Sequence, residues 1–403
     1  MKSLTLAQSY FTPQSELETR LSKLQQALSR QGLDGALIME ASDLYYFSGT
    51  AQQAFLFVPA AGSPVLWVKK SFSRVQEESP LADIRPLRSL RELPAGLREA
   101  GFPAGGRLGL ELDVLPALQY LRFQESLAPA VLADVSEIVR RLRMVKSPFE
   151  LVIMRRAALL AAEVLDEVKA ALRPGLMEVE LAAVLEAAAR RRGHQGTVRM
   201  RGFNQVLHFG HVLAGASATV PSAMESPTGG RGLNPAVPHG AGYHRIAPHE
   251  PVLVDFVMAV DGYLVDQTRI LSLGQPAPEL AQAHQLALEI EAQLAAALRP
   301  GQLAGELFSL AERLAAEAGL LNHFMGFGPD RVPFVGHGIG LELDELPPLA
   351  KGVNLALEAG TTLALEPKFN FPGQGVVGVE DTFVVTENGA EVLTQPERGI
   401  IVL

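Results

Sequence analysis

The sequence predicts an α+β protein of two domains, a smaller α/β domain over residues 1–142 and a larger one over 143–403 built on an internal repeat. Three observations predict this: a helix-then-strand opening, a helix-start signal at Lys146-Ser147-Pro148-Phe149-Glu150, and two similar segments 126 residues apart. A length of 403 residues fits two or three domains of roughly 150 residues each, or one large domain with a smaller companion.

From Glu16 to Arg30 apolar residues recur at helical spacing, and GLDGALIM then reads as a short buried strand after a turn. Strand-like runs follow at Ala54–Pro59 and Pro64–Val68, with helical stretches at Leu115–Glu125 and Val135–Leu142. At the junction Ser147 caps a helix, Pro148 suits its first position, and Glu150 completes a capping box, so a helix should run to about Leu172 and stop at Arg173-Pro174-Gly175. ALRPGLMEVELAAVLEAAARRRG at 171–193 aligns without gaps on ALRPGQLAGELFSLAERLAAEAG at 297–319. An Ala- and Leu-rich chain produces chance similarity, but a shared RPG stop before two helices of one length favours duplication. Between the copies, Gly193–His249 is rich in Gly, Pro and Ser and reads as loop. Loops of that length usually line a site or are disordered.

Composition excludes several classes. The chain is 48% hydrophobic and 20% charged, which is a folding composition. Thirty-five basic against forty-four acidic residues leave a net charge of −9 with no polybasic block, so no nucleic-acid partner is expected. There is no cysteine, which removes disulfides, thiolate sites and cysteine nucleophiles and permits a cytoplasmic address. MKSLTLAQSYFTPQSELETR lacks the apolar core of a secretory signal, and no apolar window is long enough to span a membrane.

VLVDFVMAVDGYLVDQTRI places Asp255 and Asp266 on two strands joined by Asp261-Gly262, each beside apolar neighbours. Buried carboxylates need a partner, and a cation is the natural one; strand-end acids facing water or Arg269 are the alternative. His337 in VGHGIG, Glu366 in TTLALEPKF and Glu380 in GVVGVEDTF likewise interrupt strand patterns. Taken singly, each is better read as a hydrogen-bonded core histidine or a strand-end acid. Together they form one nitrogen and four carboxylate donors, a set suited to a pair of divalent ions doing hydrolytic chemistry. No G-x-S-x-G nucleophile elbow competes, and GHGIG is a weak phosphate signal.

In that order, VDFVMAVDGYLVDQTR, GHGIGLELDE, ALEPKF and VGVEDTFVVTENGAEVLT resemble the metallopeptidase family of prolidase, Xaa-Pro aminopeptidase and methionine aminopeptidase. RLSKLQQALSRQGLDGALI with YYFSG is similar to the creatinase-type N-terminal domain of its proline-directed members, and RMVKSPFELVIMRRA to their domain junction. The resemblance implies a pita-bread C-terminal domain with two pseudo-symmetric halves, in agreement with the repeat. It implies that Asp255 holds one metal, Asp266 and Glu380 bridge two, and His337 and Glu366 hold the second, with manganese, cobalt or zinc as occupants. Glu366 would be the general acid/base, and homodimers are common in such relatives.

Three departures bear on substrate. Asp344 stands where a second active-site histidine is usual. Gly378 replaces an arginine two residues before the last glutamate. The upstream catalytic histidine falls on His239, or on Ser222 if GASATVPS is aligned instead. His208 and Arg231, with Asp344, are the expected substrate contacts; His211 is a weaker one, and Arg199 and Arg201 are further substitutes for the lost arginine. The expectation is an Xaa-Pro dipeptidase, ahead of an Xaa-Pro aminopeptidase, acting on small peptides with proline second. A metal-dependent non-peptidase, lyase or C–N hydrolase, is the alternative, and a peptide-binding module without catalysis the third reading.

Overall fold

The computed structural model describes residues 11–394 and 397–403, so the expectation about a secretory signal falls mainly outside the described residues. Among these, no helix is long and apolar enough to cross a membrane. The chain divides into two compact units, the smaller running to Arg143 and including residues 201–204, the larger comprising 144–200 and 205–403.

In the smaller unit, Leu17, Leu21, Leu24 and Leu28 form a buried stripe along the helix Gln14–Arg30, which is why this segment is helical and amphipathic. Its sheet has six strands: β1 (Gly35–Ile38), β2 (Ala54–Pro59), β3 (Val65–Val68), β4 (Ile84–Pro86), β5 (Arg107–Leu110) and β6 (Val131–Asp134), in the order β4-β3-β2-β1-β5-β6. Strand β1 runs antiparallel to β2 and parallel to β5. Leu37, Phe57, Trp67 and Leu108 centre the core. The short helices Ala41–Ser48, Phe72–Glu78 and Leu93–Glu99 have no clear period in the sequence. The first depends on Glu40, whose carboxylate accepts from the backbone N–H of Ser42 and Asp43.

The larger unit opens with the helix Pro148–Ala171, and both halves of the expected capping box are present: Ser147 Oγ accepts from Glu150 N at 3.3 Å, and Glu150 Oε2 from Ser147 N at 2.9 Å. The repeat is structural, because Glu178–Arg191 and Ala304–Glu317 are both helices of 14 residues. Each follows the left-handed glycine of an RPG stop, Gly175 at φ 82° and Gly301 at φ 87°. Gly175 N donates to Ile246 O and Gly301 N to Leu357 O, so the two turns dock alike.

The strands of this unit are β7 (Gly210–Ala214), β8 (Pro251–Val260), β9 (Tyr263–Ser272), β10 (Gly336–Gly338), β11 (Thr362–Leu365), β12 (Lys368–Phe371), β13 (Gly375–Gly378), β14 (Asp381–Thr386), β15 (Gly389–Val392) and β16 (Ile401–Val402). They form sheets ordered β16-β9-β8-β7 and β10-β11-β14-β15 and the pair β12-β13. Asp261 and Gly262 both have positive φ and close the β8–β9 hairpin in two residues, as their sequence signals. The bridge Thr268–Glu380 ties β9 to the residue before β14. The loop expected over 193–249 is corrected by β7, whose HVLA is buried between glycine-rich flanks. Gly210 permits that pairing, since a Cβ there would lie 2.2 Å from Asp255 O.

Candidate metal centre

Register brings the two aspartates together. Asp255 on β8 faces Thr268 on β9, and Asp266 lies two residues before Thr268, so all three share one face of the hairpin. His337, central in β10, faces Ala364 on β11, and Glu366 comes two residues after Ala364, directly past the end of β11. Glu380 reaches the same point from its bridge to Thr268 just before β14, where its Oε2 accepts from Thr268 Oγ1 at 2.9 Å.

The imidazole is oriented by backbone. His337 Nδ1 lies 2.9 Å from Leu343 O and 3.1 Å from Gly338 O, so the proton belongs on Nδ1 and the Nε2 lone pair faces the cluster. Nε2 is 3.9 Å from Glu380 Oε1 and 4.0 Å from Glu366 Oε1. These separations exceed a hydrogen bond and match two donors on either side of one ion with bonds of about 2.0–2.2 Å. Asp266, His337 and Glu380 each offer a ligand atom, all within 4.8 Å of one another.

Electrostatics favour a cation beside Asp266. Asp266 is 5% exposed, and its Oδ1 has no hydrogen-bond partner among the described residues. Burial, then the charges of Glu380 and Asp255, pushes its carboxyl well above the ordinary range. Burial also pushes Glu380 up to about 7, against the pull of Lys368. Burial disfavours a charged His337, but Asp344, Glu366 and Glu380 more than offset this and hold its pKa above the ordinary value. A divalent cation relieves this crowding, so Asp266, His337 and Glu380 fit one.

Neighbouring elements hold these side chains in place. Arg269 Nη1 donates to the carbonyls of Thr268 and Glu380 at 2.8 Å each, and Nη2 donates to Asp381 Oδ1 at 2.7 Å. Arg269 therefore secures the Glu380 backbone and is ion-paired with Asp381. Glu345 Oε1 accepts from the N–H groups of Leu341 and Glu342, and its Oε2 from Lys146 Nζ at 2.7 Å, which ties down the loop carrying Leu343 O. Asp344 is half-exposed, its Oδ1 4.0 Å from His337 Nδ1.

His239 is half-buried on the segment after β7, its ring centroid 6.2 Å from that of His211. His211 is paired with Asp255 across β7–β8. His208 is exposed but near enough to help burial lower the His239 pKa. Ser222 Oγ makes a local turn bond to Met224 N. Arg231 is exposed, and Arg199 is half-buried with its carbonyl accepting from Leu343 N. Arg201 does not serve as a free substitute for the lost arginine. It belongs to the smaller unit, where Asp113 takes Nε and Nη2 at 2.6 and 2.8 Å and Asp43 takes Nη1 at 2.8 Å. Tyr263 is fully buried in β9.

Two residues beside the cluster go beyond the sequence reading, which offered His211 only as a weaker substrate contact. His211 is 5% exposed, and burial pushes it down to about 4 despite the opposing charge of Asp255. The other is Lys368, 1% exposed, whose Nζ donates to Glu366 Oε2 and Glu380 Oε2 at 2.8 Å each and to Asp255 Oδ2 at 3.1 Å. Its one sequence signal is a lysine standing in an otherwise apolar strand start, ALEPKF.

Comparison with known proteins agrees with this architecture. Residues 20–145 match the creatinase/prolidase N-terminal domain, and residues 152–387 match metallopeptidase family M24. The Xaa-Pro dipeptidase of Pyrococcus furiosus is 26% identical over 388 residues, covering 96% of this chain and 100% of that protein. The probable dipeptidase PepE of Mycobacterium tuberculosis is 29% identical over 399 residues, covering 95% of this chain and 96% of its own. The solved Xaa-Pro dipeptidase from Bacillus anthracis shares the fold at a TM-score of 0.81 with 24% identity, covering 96% and 100% of the two chains. Dipeptidase PepE from Mycobacterium ulcerans superposes at 0.79 with 27% identity over 98% and 99%. The chain thus combines a creatinase-type N-terminal domain with a pita-bread domain, and with the family match spanning more than half its length it belongs to metallopeptidase family M24.

Proposed function

We propose that this protein is a metal-dependent exopeptidase that hydrolyses the bond before proline, acting on Xaa-Pro dipeptides ahead of longer Xaa-Pro peptides. The observation that carries the reading is the meeting of Asp266, His337 and Glu380 around one point, with Glu366 and Asp255 beside it. A bound manganese, cobalt or zinc ion would polarise the carbonyl under attack and acidify the attacking water. Glu366 acts as general acid/base: it takes a proton from that water and returns it to the proline nitrogen as the bond breaks. Its Oε2 is held by Lys368 and its Oε1 faces His337, so the carboxylate is fixed in orientation. His239 is the proposed partner for the developing charge, and Asp344, His208 and Arg231 are the proposed substrate contacts.

Protein stripped with chelator and restored with each metal should release proline from Xaa-Pro dipeptides faster than it releases the first residue of Xaa-Pro-Yaa tripeptides. Preference for tripeptides would make it an aminopeptidase. Asp344, Gly378 and Lys368 favour a second reading, a metal-dependent lyase or C–N hydrolase; silence on both peptide classes with metal bound would select it.

A further inference from the structure

The carboxylate cluster already contains a cation of the protein's own. Lys368 Nζ has three N–H donors, and three carboxylates accept them: Asp255, Glu366 and Glu380, at 3.1, 2.8 and 2.8 Å. The ammonium is buried among them and each donor is used, which is the condition under which a buried charge is tolerated. The stem is seated as well as the head. Lys368 opens β12 opposite Gly378 on β13, where a Cβ would fall 2.7 Å from Lys368 Cα and 2.8 Å from Cγ. Gly378 thus lets the β12 and β13 backbones approach closely and also leaves room for the lysine stem.

The rest of the cluster is arranged differently. Asp266 Oδ1 is buried and unbonded among the described residues, and His337 Nε2 points between Glu366 and Glu380, 4.0 and 3.9 Å from their Oε1 atoms and so beyond hydrogen bonding to either. One half of the constellation thus has its counter-charge built in, and the other half lacks one. A divalent ion bound through Asp255 would need carboxylate oxygens that the ammonium occupies, and it would sit only a few ångströms from a like charge.

From this geometry we propose that Lys368 is the resident cation of the Asp255 side of the cluster, so that the chain holds a single divalent ion, on Asp266, His337 and Glu380. The proposal rests on the metal-dependent reading above and replaces the expected pair of ions with one ion and one ammonium. It also assigns Lys368 a positioning role, since it orients Glu366 through Oε2.

The test counts metal, independently of turnover. Purified full-length protein is saturated with manganese or zinc, freed of loose ion by gel filtration, and analysed by mass spectrometry of metal per chain, with calorimetric titration of the stripped protein alongside. One ion per native chain is expected; two ions, or none, overturn the proposal. Lys368→Gly, which vacates the position, should raise the count to two, and a count still at one would show that the lysine does not hold the second place. Folding of the variant is checked by circular dichroism. If it fails to fold, the native count and an anomalous-scattering map of native crystals, with one peak expected and two overturning, still decide. A single ion with no peptide cleavage would sink the peptidase reading and leave this inference standing, so the two fail separately.

Discussion

Lys368 and Gly378 are register partners on β12 and β13, and the missing side chain of the glycine is what leaves room for the lysine stem. The departure from the family pattern at Gly378 therefore has a structural counterpart in Lys368 across the strand pair. A Cβ at 378 would meet the backbone of β12 as well as the Cγ of Lys368.

Gly378→Ala should accordingly destabilise the larger unit. Its Cβ would also lie 2.5 Å from Pro367 O, and backbone cannot yield as a side-chain tip does. Overpacking of this kind costs about 1–3 kcal/mol. Urea unfolding of metal-free protein measures it, and an unchanged midpoint would mean that β12–β13 separates more easily than its register implies.

Glu366→Gln should separate proton transfer from metal retention. Asp266, His337 and Glu380 remain to hold the ion, while the amide cannot take a proton from water. kcat on an Xaa-Pro dipeptide should fall by about 10²–10⁴-fold with metal per chain unaltered. Equal loss of metal and of rate would instead make Glu366 chiefly a ligand.

The Lys146–Glu345 pair supports the loop that orients His337. Its side chains are 1% and 4% exposed, so removing one partner leaves a buried charge. Glu345→Ala should cost about 3–5 kcal/mol of stability and weaken metal binding, whereas the double change Lys146→Met with Glu345→Leu should recover much of the stability. Thermal unfolding of the three proteins with and without metal distinguishes these outcomes.

Acid should destabilise the protein through its buried histidines before the carboxylates of the surface respond. His194 is stacked on Phe209 at 4.3 Å, and its Nδ1 accepts from Gly196 N at 2.9 Å. Burial pushes His194 and His211 each down to about 4. Because these folded-state values lie below the unfolded 6.5, the unfolded chain binds more protons between the two. Their contribution is fully present above about 6.5 and is lost as pH falls toward 4. Each group adds at most about 1.4 kcal/mol per pH unit to that slope. His194→Gln should flatten the stability profile in this window, and a profile of unchanged slope would place the titrating group elsewhere.

Much of the fold was legible because its signals are local. Ser147 and Glu150 lie three residues apart and cap the same helix, and Asp261-Gly262 carries the positive φ values of a two-residue hairpin. The RPG stops need a left-handed glycine, which no other residue supplies as cheaply, and so the repeat shows in the sequence as well as in the two 14-residue helices. Strand β7 was not legible: its apolar run is short, and its flanking glycines, which read as loop, serve close backbone approach to β8.

For the site, the sequence by itself picked out Asp255, Asp266, His337, Glu366 and Glu380 as candidates, since each interrupts an apolar strand pattern where a core residue is expected. Only the tertiary structure decided how their charges are balanced. Arg201 is taken up by Asp43 and Asp113 in the smaller unit, and Lys368 is set among three carboxylates by a strand register that places Gly378 opposite its stem. Local pattern records burial and turn chemistry within a few residues. Which cation meets which anion depends on contacts between residues as far apart as Asp255 and Lys368, and those exist only once the strands have paired.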